Sequence, residues 1–333
     1  MSDDVGLALV GLGWWGGVLA DSIGKAEGAE LVSCYSRTES TRDRFAADHG
    51  IKAASGWDEL LADPQVDGIL LATPHSTHAN QVVDAASAGK HVFVEKPLTL
   101  TVAEGRRAVD AAEAAGIVFQ VGHNRRRQPA TRRVKELVDA GDLGTIHHVE
   151  ATLSNPKELT PRTGWRGEPE ESPGGGMTGL GVHMVDNLIY LVGRPARLAA
   201  FSKQILGRSK LDDATTIMLE FESGPLGVIA TSMVVPDIAI TGAIGHDAAA
   251  WNVGDGAHLY LQKVGDEERT EMPVESLDTV TDQLTEFARC IAGNGRPEIG
   301  GREALEVVAV LEATMESARS GRVIDLDDVR ERT

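Results

Sequence analysis

The 333-residue chain exceeds a single core of about 100 to 200 residues, so two domains are expected. With 42% hydrophobic and 25% charged residues and no apolar run of the ~18 to 20 residues that a membrane span needs, the composition excludes a disordered chain and a helical membrane protein. Its 50 acidic against 32 basic residues, a formal charge of −18, work against extended contact with nucleic acid or an anionic membrane, although a few backbone amides can still hold a cofactor phosphate.

In chain order, apolar runs at residues 5–10, 30–35, 68–72, 91–94 and 117–121 read as strands. Between them, residues 15–25, 42–49, 77–88 and 102–115 carry apolar side chains at helical spacing, with Gly28, Gly89 and Gly116 closing several. Repeated strand and helix predict a doubly wound parallel sheet. After residue 122 the pattern changes. A helix over 130–140 precedes a strand over 145–154, a loop over 155–176 rich in Pro, Gly and charge, and a helix over 177–192. Runs at 197–206, 214–222, 225–235, 238–244 and 257–264, separated by turns, predict a large, mostly antiparallel sheet, and two helices close the chain. The expected division is 1–122 and 123–333. Cys34 and Cys290 are far apart and sit in apolar runs, which fits neither a disulfide framework nor metal-ligand spacing, so no metal is expected. The first residues carry no basic and apolar leader pattern, and the cytoplasm is the expected compartment.

Gly11-Leu12-Gly13-Trp14-Trp15-Gly16 follows the first strand and opens a helix, the context in which G-x-G-x-x-G holds a dinucleotide. The first glycine makes the turn, the second admits a pyrophosphate, and the third lets helix pack on strand. At the tip of the second strand no acid is present to accept a ribose 2′-hydroxyl. Ser36 and Arg37 stand there instead, which favours NADP(H) while leaving NAD(H) possible. Glu95-Lys96-Pro97 ends a strand at the edge where open parallel sheets bind ligands, so Lys96 can polarise a substrate hydroxyl. Behind a glycine-rich turn, His183, Asp186, Asn187 and Tyr190 form a polar stripe at i, i+3, i+4 and i+7, which makes His183 a general acid/base candidate.

Taken with Ala72-Thr73-Pro74 and His78, Ala88 to Val92, Gly122-His123-Asn124-Arg125, Trp165-Arg166 and Gly174 to Asp186, these segments resemble the Gfo/Idh/MocA family of NAD(P)-dependent oxidoreductases over almost the whole chain. The resemblance implies an N-terminal Rossmann domain and a C-terminal α/β domain whose open sheet joins a homodimer or homotetramer. It implies cofactor contacts from Gly11, Gly13, Trp14, Trp15, Gly16, Ser36, Arg37, Thr73, Pro74, His75, His78, Glu95, Lys96 and Pro97, with Pro97 after a cis peptide. Lys96 would sit by the nicotinamide and His183 would take the proton of a sugar-like or cyclic alcohol, in a pocket shaped by His123, Asn124, Arg125, Trp165, Arg166, Asp186 and Asn187. Arg125 or Arg166 could hold a carboxylate or a cofactor phosphate. Family dehydrogenases carry Asp four residues before the histidine, where this chain has Gly179, leaving Thr178 or Asp186 to orient His183. Two alternatives follow from that departure or from binding alone: a decarboxylase of dihydroxy-aromatic acids, and a non-catalytic NAD(P)-binding sensor.

Overall fold

Every residue of Val5–Val10 is buried in the computed structural model, which describes residues 4–160 and 163–333. An unbroken apolar run is what a strand covered on both faces requires. This strand, β1, is followed by β2 (Ala29–Tyr35), β3 (Lys52–Ala53), β4 (Gly68–Leu71), β5 (His91–Val94) and β6 (Phe119–Val121). They form a parallel sheet in the order β3-β2-β1-β4-β5-β6. The order reverses between β1 and β4, where a crevice opens at the carboxyl ends of the strands. Helices α1 (Trp14–Ile23), α2 (Glu39–His49), α3 (Trp57–Ala62), α4 (His78–Ser87) and α5 (Val102–Ala115) are interleaved with the strands.

The chain divides into two units, one of Met1–Thr99, Ala103–Gly122 and Asp278–Leu305, the other of Leu100–Val102, His123–Leu277 and Glu306–Thr333. The expected 123–333 domain is thereby corrected, because the chain returns to the first unit. The returning helix is numbered α8 (Thr279–Ile291), after α6 (Pro129–Asp139) and α7 (Val182–Val192) of the second unit. Leu284, Phe287 and Ala288 of α8 join Leu7, Leu19, Ile23 and Phe93 in one buried cluster, with the Phe93 and Phe287 ring centroids 5.9 Å apart. The short α1 covers only part of this sheet face, and the apolar stripe of α8 completes it. Cys34 on β2 and Cys290 on α8 are both buried, unpaired thiols of this unit. Burial, opposed by Arg42 and reinforced by Asp43, pushes the Cys34 thiol up to about 11.

The second unit is built on nine strands: β7 (Ile146–Ser154), β8 (Pro195–Lys203), β9 (Ala214–Phe221), β10 (Leu226–Ser232), β11 (Ile238–Gly245), β12 (Ala248–Val253), β13 (His258–Lys263), β14 (Thr270–Met272) and β15 (Ile324–Asp325). Their order is β14-β13-β12-β11-β7-β10-β9-β8-β15, antiparallel except where β7 meets β10. Along β9, Ile217, Leu219 and Phe221 point inward while Thr216 and Met218 point out, the alternation of a half-covered sheet. Strand β12 was not expected from its Ala-rich sequence. It is buried at five of its six positions and packs against α6. The expected 177–192 helix is two pieces, a π-type turn over Met177–Gly181 and then α7. Helices α9 (Gly301–Ser320) and α10 (Leu326–Arg330) end the chain. Among the described residues no helix is long and apolar enough to cross a membrane.

Candidate active site

The glycine loop takes its shape from three different constraints. Gly11 has φ +97°, and a Cβ there would lie 2.4 Å from the Ala72 carbonyl oxygen, so only glycine fits where β1 passes β4. A Cβ on Gly16 would lie 2.3 Å from the Gly11 carbonyl oxygen, which fixes the close packing of α1 on the loop. Gly13 is exposed, and a Cβ there would meet nothing within 4 Å. It is also the residue that caps α1, with no side chain bonded to the first amides of the helix and no acidic residue in the first turn. An open glycine before uncapped amides is a cradle for an anionic group such as a dinucleotide pyrophosphate, so these residues fit the cofactor. Trp14 is 73% exposed at this helix start. Trp15, expected beside the cofactor, instead packs its ring on the α1 and α8 core, 5.4 Å from the Trp14 ring, with its indole N–H buried and unbonded.

Ser36 and Arg37 follow directly on β2, Ser36 half-buried with its hydroxyl accepting the Thr38 N–H at 3.4 Å, Arg37 exposed. The ends of β4 and β5 come next along the same edge, since Ala72 N–H bonds Val10, Glu95 N–H bonds Leu71 and Gly122 N–H bonds Val94. Thr73 and Thr77 share Gln81 through their hydroxyls, and Thr77 also donates to the Pro74 carbonyl, which closes the Thr73–His75 turn. His78 corrects its expected role as a cofactor contact. It is fully buried, with Nδ1 at 3.1 Å from the Pro97 and Leu98 carbonyls and Nε2 at 3.2 Å from the Thr73 carbonyl. It therefore ties the β4 turn to the β5 turn, a positioning role. The His75 ring stands edge-on to it at 5.7 Å. Lys96 is half-buried and joined to Pro97 by a cis peptide. The Glu95 carboxylate lies against Gly122, where a Cβ would come within 2.9 Å of Oε1. That contact explains a glycine at the end of β6.

In the second unit His183 occupies the first turn of α7, 7% exposed, and His123 is 1% exposed beside it. Their rings stand edge to face with centroids 6.2 Å apart. Sequence spacing did not bring these two together. Both residues expected to orient His183 are committed elsewhere. Thr178 donates its hydroxyl to the Pro173 carbonyl, and Asp186 accepts two hydrogen bonds from the Arg126 guanidinium, Nε at 2.9 Å. Asp186 and Asn187, expected to touch substrate, are each 1% exposed. Asn187 donates to Thr241 of β11 at 3.1 Å, and Arg126 also lies 5.1 Å from the Tyr190 ring, so both α7 residues act as struts. Buried polar groups need partners of this kind, and partners so used are not offered to a ligand. Arg125 is paired with Asp255, which Gln128 also bonds, so its expected carboxylate-binding role is replaced by an ion pair within the unit. Arg166 stacks on Trp165 at 4.0 Å, next to Gly167 in a 3-10 turn. Asn124 is half-buried, just before the Arg125–Arg127 turn. Among the described residues no group of three His, Cys, Asp or Glu side chains is gathered as a metal site.

Residues 5–123 match the model of the oxidoreductase family with an NAD-binding Rossmann fold, and residues 131–246 match the GFO/IDH/MocA C-terminal domain. The chain belongs to the Gfo/Idh/MocA family. As a member of it, the protein is an NAD(P)-dependent oxidoreductase of the sugar and polyol dehydrogenase group. It is 28% identical to the 1,5-anhydro-D-fructose reductase of Ensifer adhaerens over 91% of this chain and 93% of that one. It is also 28% identical to the scyllo-inositol 2-dehydrogenase (NAD(+)) of Bacillus subtilis, over 98% of each chain. Among solved structures, an oxidoreductase of Desulfitobacterium hafniense, described as NADPH-dependent, is 30% identical, covers 99% of this chain and 100% of its own, and superposes with a TM-score of 0.94. These Gfo/Idh/MocA relatives stand with the oxidoreductase expectation rather than with the decarboxylase or the sensor.

Proposed function

We propose that the protein oxidises a carbinol of a sugar-like or cyclic polyol, or reduces the matching ketone, with NADP(H). The observation that carries this reading is Lys96, placed at the carboxyl end of β5 along the same sheet edge as the open Gly13 cradle. The nicotinamide, when bound, supplies an acceptor for the hydride of the alcohol carbon. Lys96 donates a hydrogen bond to the substrate oxygen and stabilises it as its proton departs, and His183 takes that proton. Reductases and dehydrogenases of anhydrofructose and inositol among the relatives support a polyhydroxylated substrate.

The preference for NADP(H) is supported by Ser36 and Arg37 at the tip of β2, where a 2′-phosphate is met by a hydroxyl and a guanidinium and no carboxylate. Fluorescence titration of the cofactor-free protein, with Trp14 as reporter, separates the cofactors. Tighter binding of NADPH, reduced about tenfold or more in Arg37→Ala with NADH little changed, is the expected result, of the size of one charge-assisted hydrogen bond. Equal or tighter NADH binding would overturn the preference alone. Inositols and aldoses are then screened with NADP⁺ by nicotinamide absorbance, and no oxidation of any of them with either cofactor would overturn the polyol reading.

The assembly we propose is a homodimer or homotetramer through the outer face of the nine-stranded sheet. Phe201 at 71%, Met218 at 64% and Leu226 at 56% exposure lie on it, with Val228 paired to Met218 across β9 and β10. Light scattering during gel filtration tests this, with Met218→Glu expected to release monomers.

A further inference from the structure

The edge-to-face pair of His123 and His183 has planes at 90° and centroids 6.2 Å apart, both rings nearly closed to solvent. Gly179, one turn before His183, has no side chain to orient it, and Thr178 and Asp186 are engaged with Pro173 and Arg126. Of the elements packed against α7, the turn over Arg125–Arg127 brings Arg126 and Arg127, α6 brings Arg132 and Lys135, and β7 brings Glu150. Asp186 holds Arg126, Lys135 lies over the Tyr190 ring and Glu150 accepts the Trp251 indole N–H, while the π-type turn, β10 and β11 carry no titratable side chain. Two imidazolium charges at this separation, in surroundings already rich in cations, disfavour each other by about 2 pH units at an effective dielectric of about 20.

We propose that His123 and His183 titrate as one coupled pair that holds a single proton, with His123 the positioning residue for His183. Binding of the first proton opposes the second, so one ring stays neutral well below the ordinary histidine range. The T-shaped contact also fixes the plane of the His183 ring, which nothing on its own helix does. The functional sense of the pair rests on His183 as proton acceptor; the pair itself does not.

The test is a histidine proton-NMR titration of the full, cofactor-free protein, whose ten histidines are few enough to assign by substitution. Two resonances should titrate in two steps separated by about 1 to 2 pH units, and His123→Phe, which keeps a ring in place, should leave the His183 resonance with one step. His183→Phe should do the same to His123. Independent single-step titrations, unchanged by either substitution, would overturn the pair, and because the wild-type curves are decisive alone, a variant that fails to fold does not block the result. A coupled pair in a protein that oxidises no polyol would sink the proposed function and leave the pair standing. Polyol oxidation with uncoupled histidines would do the reverse.

Discussion

The carboxyl edge of the six-stranded sheet and the start of α7 present their chemistry in opposite ways. At the sheet edge the decisive feature is what is missing: a side chain at Gly13, a cap on α1, an acid beyond β2. Around α7 the decisive feature is crowding, with Asp186, Asn187, Thr178 and His123 all buried and engaged by groups from other segments. A site made from backbone leaves a glycine signature in one short stretch of sequence. A site made from packed side chains depends on partners that only folding brings together.

The sharpest way to break this contrast is at the lysine. Lys96→Ala should lower turnover about 10²- to 10⁴-fold, the usual worth of a proton-handling group, with NADPH affinity nearly unchanged; steady-state rates beside a binding titration decide it, and unchanged turnover would remove Lys96 from the mechanism. On the crowded side, Asp186→Ala strands the Arg126 guanidinium, 8% exposed at its side chain, and should cost roughly 3 to 5 kcal/mol in urea unfolding. A loss below about 1 kcal/mol would mean that the pair is not the strut described. The glycines allow a comparison within one loop. Gly13→Val should leave the urea midpoint in place but weaken NADPH binding about tenfold, since the added side chain meets solvent and, in the complex, the pyrophosphate. Gly11→Ala should instead shift the midpoint, by about 1 to 2 kcal/mol from the left-handed φ and more from the overlap with Ala72.

The smallest expected effect is a pH dependence in the first unit. His91 accepts the Val118 N–H on Nδ1 at 2.9 Å, and burial, partly offset by Asp67, pulls its pKa below the ordinary value. The unfolded chain therefore takes up the proton first, so the contribution is fully present above about pH 6.5 and declines as the pH falls toward the folded value. His91→Gln should flatten that slope in urea midpoints measured from pH 7 to 5.

Much of the first unit was legible in advance, because strand, glycine loop and helix follow one another within a few residues and each obeys a local rule. Lys96 was legible for the same reason, as an end-of-strand residue. The return of α8 was not, since an amphipathic helix does not state which sheet it covers, and Leu284 and Phe287 acquire meaning only beside Phe93. His78 shows a subtler limit. A histidine near a binding turn reads as a ligand contact, yet three carbonyls converge on its ring and make it a tie beneath the turn. The stripe of α7 was visible as a stripe, but spacing along a helix cannot say that Arg126 takes one member and Thr241 another.

Both thiols of the chain, Cys34 and Cys290, lie in the first unit, and the second has none. Alkylation of the native protein is therefore a clock for the opening of one unit only. A second unit that loosens by itself would be silent to the reagent, so labelling rates read beside a whole-molecule probe such as circular dichroism distinguish concerted unfolding from melting in halves.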